Sequence, residues 1–225
     1  MAEVNLVING EQVRAQEGMS ILEAAREADI FIPTLCHHAE IDAYGACRLC
    51  VVELRQGDRS RVVASCLYPV AEGLVVETES EKIKNYRRTI LNLLLQRWDN
   101  IPRALLDRYG AAPNPRYVEN MTFCILCGLC VRYCRDVKGA NVLGFIGRGT
   151  IRQVVVFPDQ AMKYCPTCGN GEMECLHYCP TGVITSDYQG TGPANGQPLP
   201  HAYPVCIRDE TNILEILERV GHLEY

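Results

Sequence analysis

The sequence predicts an α+β protein built as two modules in tandem. Three observations lead there. Two hairpin signals flank a short amphipathic helix within the first 80 residues. Thirteen cysteines fall into three groups of four, with Cys206 alone. A 57-residue stretch without cysteine separates the first group from the second. A sheet packed on a helix and a loop-rich, cysteine-dense region bury their interiors differently, so a domain boundary is expected in that gap.

The elements follow in order. VNLVI (4–8) and QVRA (12–15) flank Asn9-Gly10, a strong type I′ hairpin signal. Ser20 precedes ILEAAREA with Glu23 three positions on, which is a capping box, and Ile21, Leu22, Ala25 and Ala28 share a face. A loop with Pro33, Gly45 and three cysteines comes next. VVEL (51–54) and RVVAS (61–65) flank a turn at Gln56-Gly57-Asp58, and LVVET (74–78) reads as a last strand. EKIKNYRRTILNLLLQR (81–97) predicts a helix with Ile83, Tyr86, Ile90, Leu93 and Leu94 on one face and the charges opposite. Residues 99–118, with three prolines, read as a connector, and 187–204, with four Pro and three Gly, as an extended arm. Residues 211–223 predict a terminal amphipathic helix behind Thr211, striped by Ile213, Leu214, Leu217, Val220 and Leu223. Arm and helix together suit docking on a partner.

Composition narrows the class. At 48% apolar and 22% charged residues, the chain is neither disordered nor fibrous. Its apolar runs are too short for a transmembrane helix. The N-terminus carries no basic, apolar leader, so a cytoplasmic chain with reduced thiols is expected. A net charge of −5 without a basic tract excludes a nucleic-acid binder. Residues 1–80 carry a net −7 and 81–120 a net +4, an acidic module followed by a basic connector. An odd cysteine count forbids complete pairing within one chain, and clustered reduced thiols point to metal.

The second group, C124-I-L-C-G-L-C-V-R-Y-C134, has the C-x2-C-x2-C-x3-C spacing of the bacterial ferredoxin run, whose fourth cysteine ligates the other of two [4Fe-4S] clusters. Zinc prefers two separated C-x2-C knuckles. Gly128 lets backbone approach the sulfurs closely. The third group, Cys165, Cys168, Cys175 and Cys179 followed by Pro180, ends as a ferredoxin run ends but stretches the middle gap to six residues, with zinc as the rival reading. The crossing rule then gives one [4Fe-4S] cluster to Cys124, Cys127, Cys130 and Cys179. It gives the other to Cys134, Cys165, Cys168 and Cys175, with Cys175 the least secure ligand. The first group, Cys36, Cys47, Cys50 and Cys66, suits a [2Fe-2S] rhomb with two thiolates per iron, zinc being the alternative. His37 and His38 read as neighbours that tune the site, Cys206 as a structural thiol, and Arg132, Arg135 and Arg148 as a solvated face.

Here the residues become specific. The segment ILEAAREADIFIPTLCHHAEIDAYGACRLCVVEL resembles the [2Fe-2S] domain of electron-transfer subunits related to the N-terminal part of the large iron–sulfur subunit of respiratory complex I. That family includes the small diaphorase subunit of NAD-reducing hydrogenases and iron–sulfur regions of NAD-linked formate dehydrogenases. FCILCGLCVRYCRDVKGANVLGFIGRGT is similar to the family's double-cubane module. The resemblance covers roughly residues 1–185. It implies a β-grasp [2Fe-2S] ferredoxin-like domain over 1–80, a helical connector over 81–120 and a bacterial-type 2[4Fe-4S] ferredoxin-like domain over 121–187, with the ligand sets above. The family usually carries a further [4Fe-4S] cluster with one His and three Cys ligands. Trp98 stands about where that His is expected and no cysteine follows before Cys124, so this cluster is expected to be lacking.

The sequence shows no dinucleotide fingerprint, P-loop or nucleophile–base pair, and Gly147-Arg148-Gly149 is an isolated glycine-rich turn. The expected function is therefore non-catalytic electron relay in a multisubunit oxidoreductase, through one [2Fe-2S] and two [4Fe-4S] clusters. The resemblance implies two partners: a flavin- and NAD(H)-binding subunit like the NADH-oxidising module of complex I, and a terminal metal-cofactor enzyme such as a hydrogenase or formate dehydrogenase. A free-standing polyferredoxin and a zinc-bound scaffold are the alternatives.

Overall fold

Asn9 and Gly10 both take left-handed backbone (φ 53° and 86°), which closes β1 (Glu3–Ile8) onto β2 (Glu11–Gln16) with the twist an antiparallel pair needs. The computed structural model describes residues 2–116, 123–171, 174–185 and 205–206. It divides into two units. One comprises Met1–His37, Ala43–Gln96 and Ile101–Glu119; the other comprises His38–Asp42, Arg97–Asn100 and Asn120–Tyr225. The arm over 188–204 and the helix over 211–223 lie outside the described residues.

In the first unit, α1 (Ile21–Glu27) opens on the expected capping box: Ser20 Oγ accepts the Glu23 amide, and the Glu23 carboxylate accepts the Ser20 amide at 2.6 Å. Gly57-Asp58 turns β3 (Val51–Gln56) into β4 (Arg59–Ala64), and β5 (Val75–Glu77) follows. The sheet order is β2-β1-β5-β3-β4, with β1 and β5 parallel and every other pair antiparallel. Alternation sets the buried face. Leu6, Ile8, Val13, Ala15, Val52, Leu54 and Val76 meet Ile21, Leu22, Ala24 and Ala25 of α1 in one cluster. The alanines let the helix approach the sheet. The α+β expectation holds.

The next helix departs from its predicted face. α2 (Glu81–Leu94), capped by Ser80, ends three residues early and buries Ile83, Arg87 and Leu91. Tyr86 and Leu93 are each 48% exposed. A strict i, i+4 stripe wins over the apolar one because the face at Arg87 meets backbone carbonyls that need donors. Arg87 Nε donates to Leu49 O (3.0 Å) and its terminal nitrogen to Val51 O (2.9 Å). The predicted connector also holds a helix, α3 (Arg103–Tyr109), ended by Gly110 in left-handed conformation (φ 61°). Arg88 Nε donates to Tyr109 O at 2.9 Å, pinning the end of α3 to α2.

The second unit is built from short pieces. α4 (Leu129–Arg132) runs into a single π-helical turn, Tyr133–Val137. β6 (Leu143–Ile146) and β7 (Gln153–Val156) form an antiparallel hairpin. The glycine-rich turn belongs to this hairpin: a Cβ at Gly147 (φ 68°) would meet Ile151 O at 2.6 Å, so its glycine is conformational. α5 (Pro158–Tyr164) leads into tight turns over Cys165–Gly171 and Glu174–Leu176. β8 (Ile184–Thr185) pairs with β9 (Val205–Cys206). Trp98, in this unit, is fully buried, and its indole N–H finds no hydrogen-bond partner. Among the described residues, no helix is long and apolar enough to cross a membrane.

Leu22→Ala is expected to cost about 2–5 kcal/mol, since Leu22 is fully buried between α1 and the sheet. Ser20→Ala should cost about 1 kcal/mol through loss of the cap. Denaturant titration of both variants checks the ranking.

Candidate functional site

The first four cysteines come from the α1–β3 loop and the residues just after β4, and all are buried. Gly45 and Arg48 take left-handed backbone (φ 68° and 60°) and fold the loop over. A Cβ at Gly45 would meet Leu67 Cδ1 at 2.5 Å, so that position needs glycine twice over. Backbone amides turn inward onto sulfur: Cys47 N donates to Cys36 Sγ (3.3 Å) and Leu35 N to Cys47 Sγ (3.4 Å). Cys50 Sγ and Cys66 Sγ stand 3.4 Å apart. The Cys47 thiol donates to Cys36 and holds its pKa down to about 6; the Cys66 thiol does the same for Cys50. Both donor thiols are pushed up, first by that hydrogen bond and then by burial. Cys36 is electrostatically coupled to both Cys50 and Cys66, so the four form one charge system.

Ser65 shows that this space is built for an acceptor. Its side chain is fully buried, its hydroxyl finds no hydrogen-bond partner in ordinary geometry, and it lies close enough to Cys50 to help hold that thiol down. A buried hydroxyl without a partner is costly. A thiolate bound to iron is the acceptor such a donor fits. The two histidines beside Cys36 face elsewhere: His37 Nδ1 is 3.1 Å from the Arg26 guanidinium, and His38 packs edge-on to Tyr178 with centroids 4.7 Å apart.

In the second unit, Phe123, Leu126 and Gly128 take positive φ (53°, 56°, 74°), winding the 124–130 loop tightly before α4 begins. Gly128 also leaves room for Phe145, whose ring would lie 3.2 Å from an added Cβ. Cys130 lies on α4 and Cys134 on the π-turn, a distortion typical of functional sites. Burial pushes the Cys130 thiol far up, and the nearby Cys127, Cys179, Cys124 and Cys175 add to it. Cys165 is pushed up to about 12 by burial and by Cys134 and Cys168. Cys175 is pushed up by burial and by Cys134, Cys165 and Cys168. A cavity of about 230 Å³ is walled by these same four sulfur residues, Cys134, Cys165, Cys168 and Cys175, with Tyr133, Lys138 and Val142 among its other walls. Val142 N donates to Cys134 Sγ at 3.2 Å. The stretched gap thus brings Cys175, at 6% exposure, to the same cavity as the other three.

Several site residues were not foreseen. Tyr133, on the cavity wall, stacks on Tyr178 (centroids 4.1 Å apart) and bonds through its hydroxyl to Glu174, which Lys138 Nζ meets at 2.5 Å. Burial and Glu174 push the Tyr133 hydroxyl up to about 12. Arg132 is not solvated as expected: it is 5% exposed and donates to Asp42 O, because α4 is buried on every side. Arg135 pairs with Asp136, and Arg148 is exposed. Cys206 lies on β9 opposite Ile184. Among the described residues, no three His, Cys, Asp or Glu side chains converge on a point as a single ion requires; the second unit's sulfurs line a space.

Two ferredoxin-like modules in tandem, each with its own buried cysteine sites, define the class. Residues 1–81 match the 2Fe-2S iron-sulfur cluster binding domain family, and residues 115–185 match the ferredoxin-like domain of NADH-quinone oxidoreductase subunit 3. The chain is 32% identical over 219 residues to the 78 kDa subunit of mitochondrial NADH-ubiquinone oxidoreductase from Candida albicans, across 83% of this chain and 29% of that one. It is 30% identical over 220 residues to the NADP-reducing hydrogenase subunit HndD from Solidesulfovibrio fructosivorans, across 82% of this chain and 36% of that one. The chain thus spans about a third of the length of these relatives. A crystal structure of an NAD+-reducing [NiFe]-hydrogenase in the H2-reduced state matches with a TM-score of 0.60 and 29% identity, covering 76% of this chain and 78% of that one. The resemblance expected from the two cysteine-bearing segments is borne out: the chain carries a 2Fe-2S cluster binding domain followed by an NADH-quinone oxidoreductase subunit 3 ferredoxin-like domain, and its relatives include complex I and NAD-linked hydrogenase subunits.

Ser65→Ala is expected to lower the midpoint potential of the first-unit centre by roughly tens of millivolts. A hydrogen bond to ligand sulfur favours the more negative, reduced state, and one worth about 1 kcal/mol is a shift of that size. An EPR-monitored redox titration of the wild type against the variant reads it.

Proposed function

We propose that this chain is an electron-transfer subunit of a multisubunit oxidoreductase, holding one [2Fe-2S] cluster and two [4Fe-4S] clusters. The observation that carries this reading is the wall of the second-unit cavity, where four cysteines from three separate turns meet around about 230 Å³. Clusters of this kind supply one-electron chemistry at potentials set by hydrogen bonds, burial and charge. The residues do the rest. Cys36, Cys47, Cys50 and Cys66 would hold the [2Fe-2S] cluster, with the Leu35, Cys47 and Cys66 amides and the Ser65 hydroxyl aimed at sulfur. Cys124, Cys127, Cys130 and Cys179 would hold one cubane. Cys134, Cys165, Cys168 and Cys175 would hold the other, with Val142 N on Cys134 and the Tyr133–Glu174–Lys138 group closing one wall. Burial keeps water from the sulfurs and makes each fixed dipole count for more.

The relatives' names place one in an NADH-ubiquinone oxidoreductase and one in an NADP-reducing hydrogenase, and the matching structure is of an NAD+-reducing hydrogenase. By that likeness, one partner is a flavin- and NAD(H)-binding subunit and the other a metal-cofactor enzyme. A cytoplasmic location fits such a complex. A free-standing polyferredoxin would carry the same clusters and purify alone from its native source.

Anaerobically isolated chain should be brown and contain about ten irons with matching acid-labile sulfide, the sum over one two-iron and two four-iron clusters. Colourless, zinc-filled protein would sink the reading. Cys175→Ala should remove about four of those irons and one [4Fe-4S] EPR signal while leaving the [2Fe-2S] spectrum in place.

A further inference from the structure

Arg87 is the largest charged side chain that the first unit buries completely, and the relay itself gives it no task. Its position in the sheet supplies one. β5 ends at Glu77, opposite Glu53 of β3, and the chain then leaves for α2. On that side the backbone upstream of Glu53 has no neighbouring strand. The carbonyls of Leu49 and Val51 face that gap, while the Cys50 carbonyl faces the other way and accepts the Ser65 amide at 3.1 Å. Arg87 fills the place of the missing strand. Its planar fork puts Nε on Leu49 O at 3.0 Å and a terminal nitrogen on Val51 O at 2.9 Å, gripping the Leu49–Cys50 and Val51–Val52 peptide units that bracket Cys50. Its other terminal nitrogen is fixed by Glu79 (2.9 Å) and Tyr109 Oη (2.8 Å), and Tyr109 in turn donates to Glu79 (2.9 Å). The guanidinium is locked at both ends, its charge balanced by a carboxylate.

We propose that Arg87 is the positioning residue of the [2Fe-2S] site, fixing the orientation of the Cys50 thiolate by clamping the carbonyls of Leu49 and Val51. This rests on the reading of Cys50 as a cluster ligand. The clamp acts where adjustment would matter most. Cys50 is the hinge between the irregular loop from Cys36 and the first residue of β3, and its sulfur shares the Cys66 amide and the Ser65 hydroxyl. A rotation of the Cys50 backbone would break the Cys66 amide hydrogen bond and carry the sulfur away from the Ser65 hydroxyl. A lysine in place of Arg87 keeps the positive charge but presents its donors from one point, so it cannot span two carbonyls in a plane.

The test uses the full chain, isolated anaerobically with its clusters, as wild type, Arg87→Lys, Arg87→Gln and Tyr109→Phe. In both Arg87 variants, the g-values and midpoint potential of the [2Fe-2S] signal should shift. Loss of that cluster to an iron chelator should quicken at least tenfold, while the [4Fe-4S] signals stay unchanged. Tyr109→Phe leaves the carbonyl clamp in place and should lower only the melting temperature. If Arg87→Gln fails to fold, Arg87→Lys decides alone. Spectra and potentials in Arg87→Lys that superimpose on wild type would overturn the proposal, since Arg87 would then merely hold α2 to the sheet. An equal spectral shift in Tyr109→Phe would also overturn it, because general loosening of α2 would suffice. A wild-type chain lacking any [2Fe-2S] signal would instead defeat the functional reading, and this proposal with it.

Discussion

A buried thiolate is tolerable only beside positive charge, and that constraint governs the molecule. Of the twelve cysteines in the three groups, all except Cys124 and Cys168 are buried, and members of a group sense one another's charge. Desolvation and mutual repulsion push Cys130, Cys165 and Cys175 strongly toward the protonated form. The first unit divides the same conflict within pairs, where one thiol keeps its proton and donates it to a lowered neighbour. Neither arrangement accounts for itself as packing, because a hydrophobic residue would fill each place at lower cost. On the proposed reading, iron and sulfide at the centre would resolve both, since the metal would supply the charge that lets every sulfur ionise.

Holding sulfurs around a common centre requires backbone that ordinary elements do not offer. The loops at both sites are therefore wound through left-handed residues: Gly45 and Arg48 in one, Phe123, Leu126 and Gly128 in the other. Arg48, Phe123 and Leu126 hold this conformation without being glycine, which costs roughly 1–2 kcal/mol each. The regular structure nearby restrains them. Ser20 and Glu23 fix one end of the first loop through α1, and β3 and β4 fix the other through Cys50 and Cys66. The first unit's sheet and helix thus act as a frame whose rigidity is spent on a loop that could not hold its shape alone.

Much of this was legible because local rules dominate locally. Asn9-Gly10 dictates a hairpin whatever surrounds it, and the Ser20–Glu23 box starts α1 with contacts made within one turn. Cysteine spacing was informative for the same reason, since a ligand run encodes a loop geometry. What escaped depended on distant partners. An arginine between Ile83 and Leu91 reads as solvent-facing until two carbonyls 36 and 38 residues earlier are known to need donors. Arg132 and Ser65 escaped likewise, because a charged or hydroxyl-bearing side chain declares its partner only in the folded chain. The helix inside the proline-bearing segment was missed because Pro102 looked like a breaker but stands at the N-cap of α3, where the missing amide costs nothing.

The stretched spacing of the third cysteine group shows why such a departure from the ferredoxin pattern can leave a relay intact. On the proposed assignment, Cys130 and Cys134 serve different cubanes yet lie on one continuous helical stretch, α4 and its π-turn. Four residues of helix advance about 6 Å, so covalent geometry limits how far apart the two anchor points can drift. Of the six residues between Cys168 and Cys175, those described lie in tight turns outside the helix, and Glu174 among them touches the π-turn through Tyr133. They lengthen the path by which Cys175 reaches the cavity without altering the helix that sets the anchor spacing. Electron hopping depends steeply on distance and little on how a distant ligand arrives. An insertion there is thus far cheaper than one between Cys130 and Cys134, where even one added residue would rotate Cys134 by about 100° around the helix axis and away from Cys165 and Cys168.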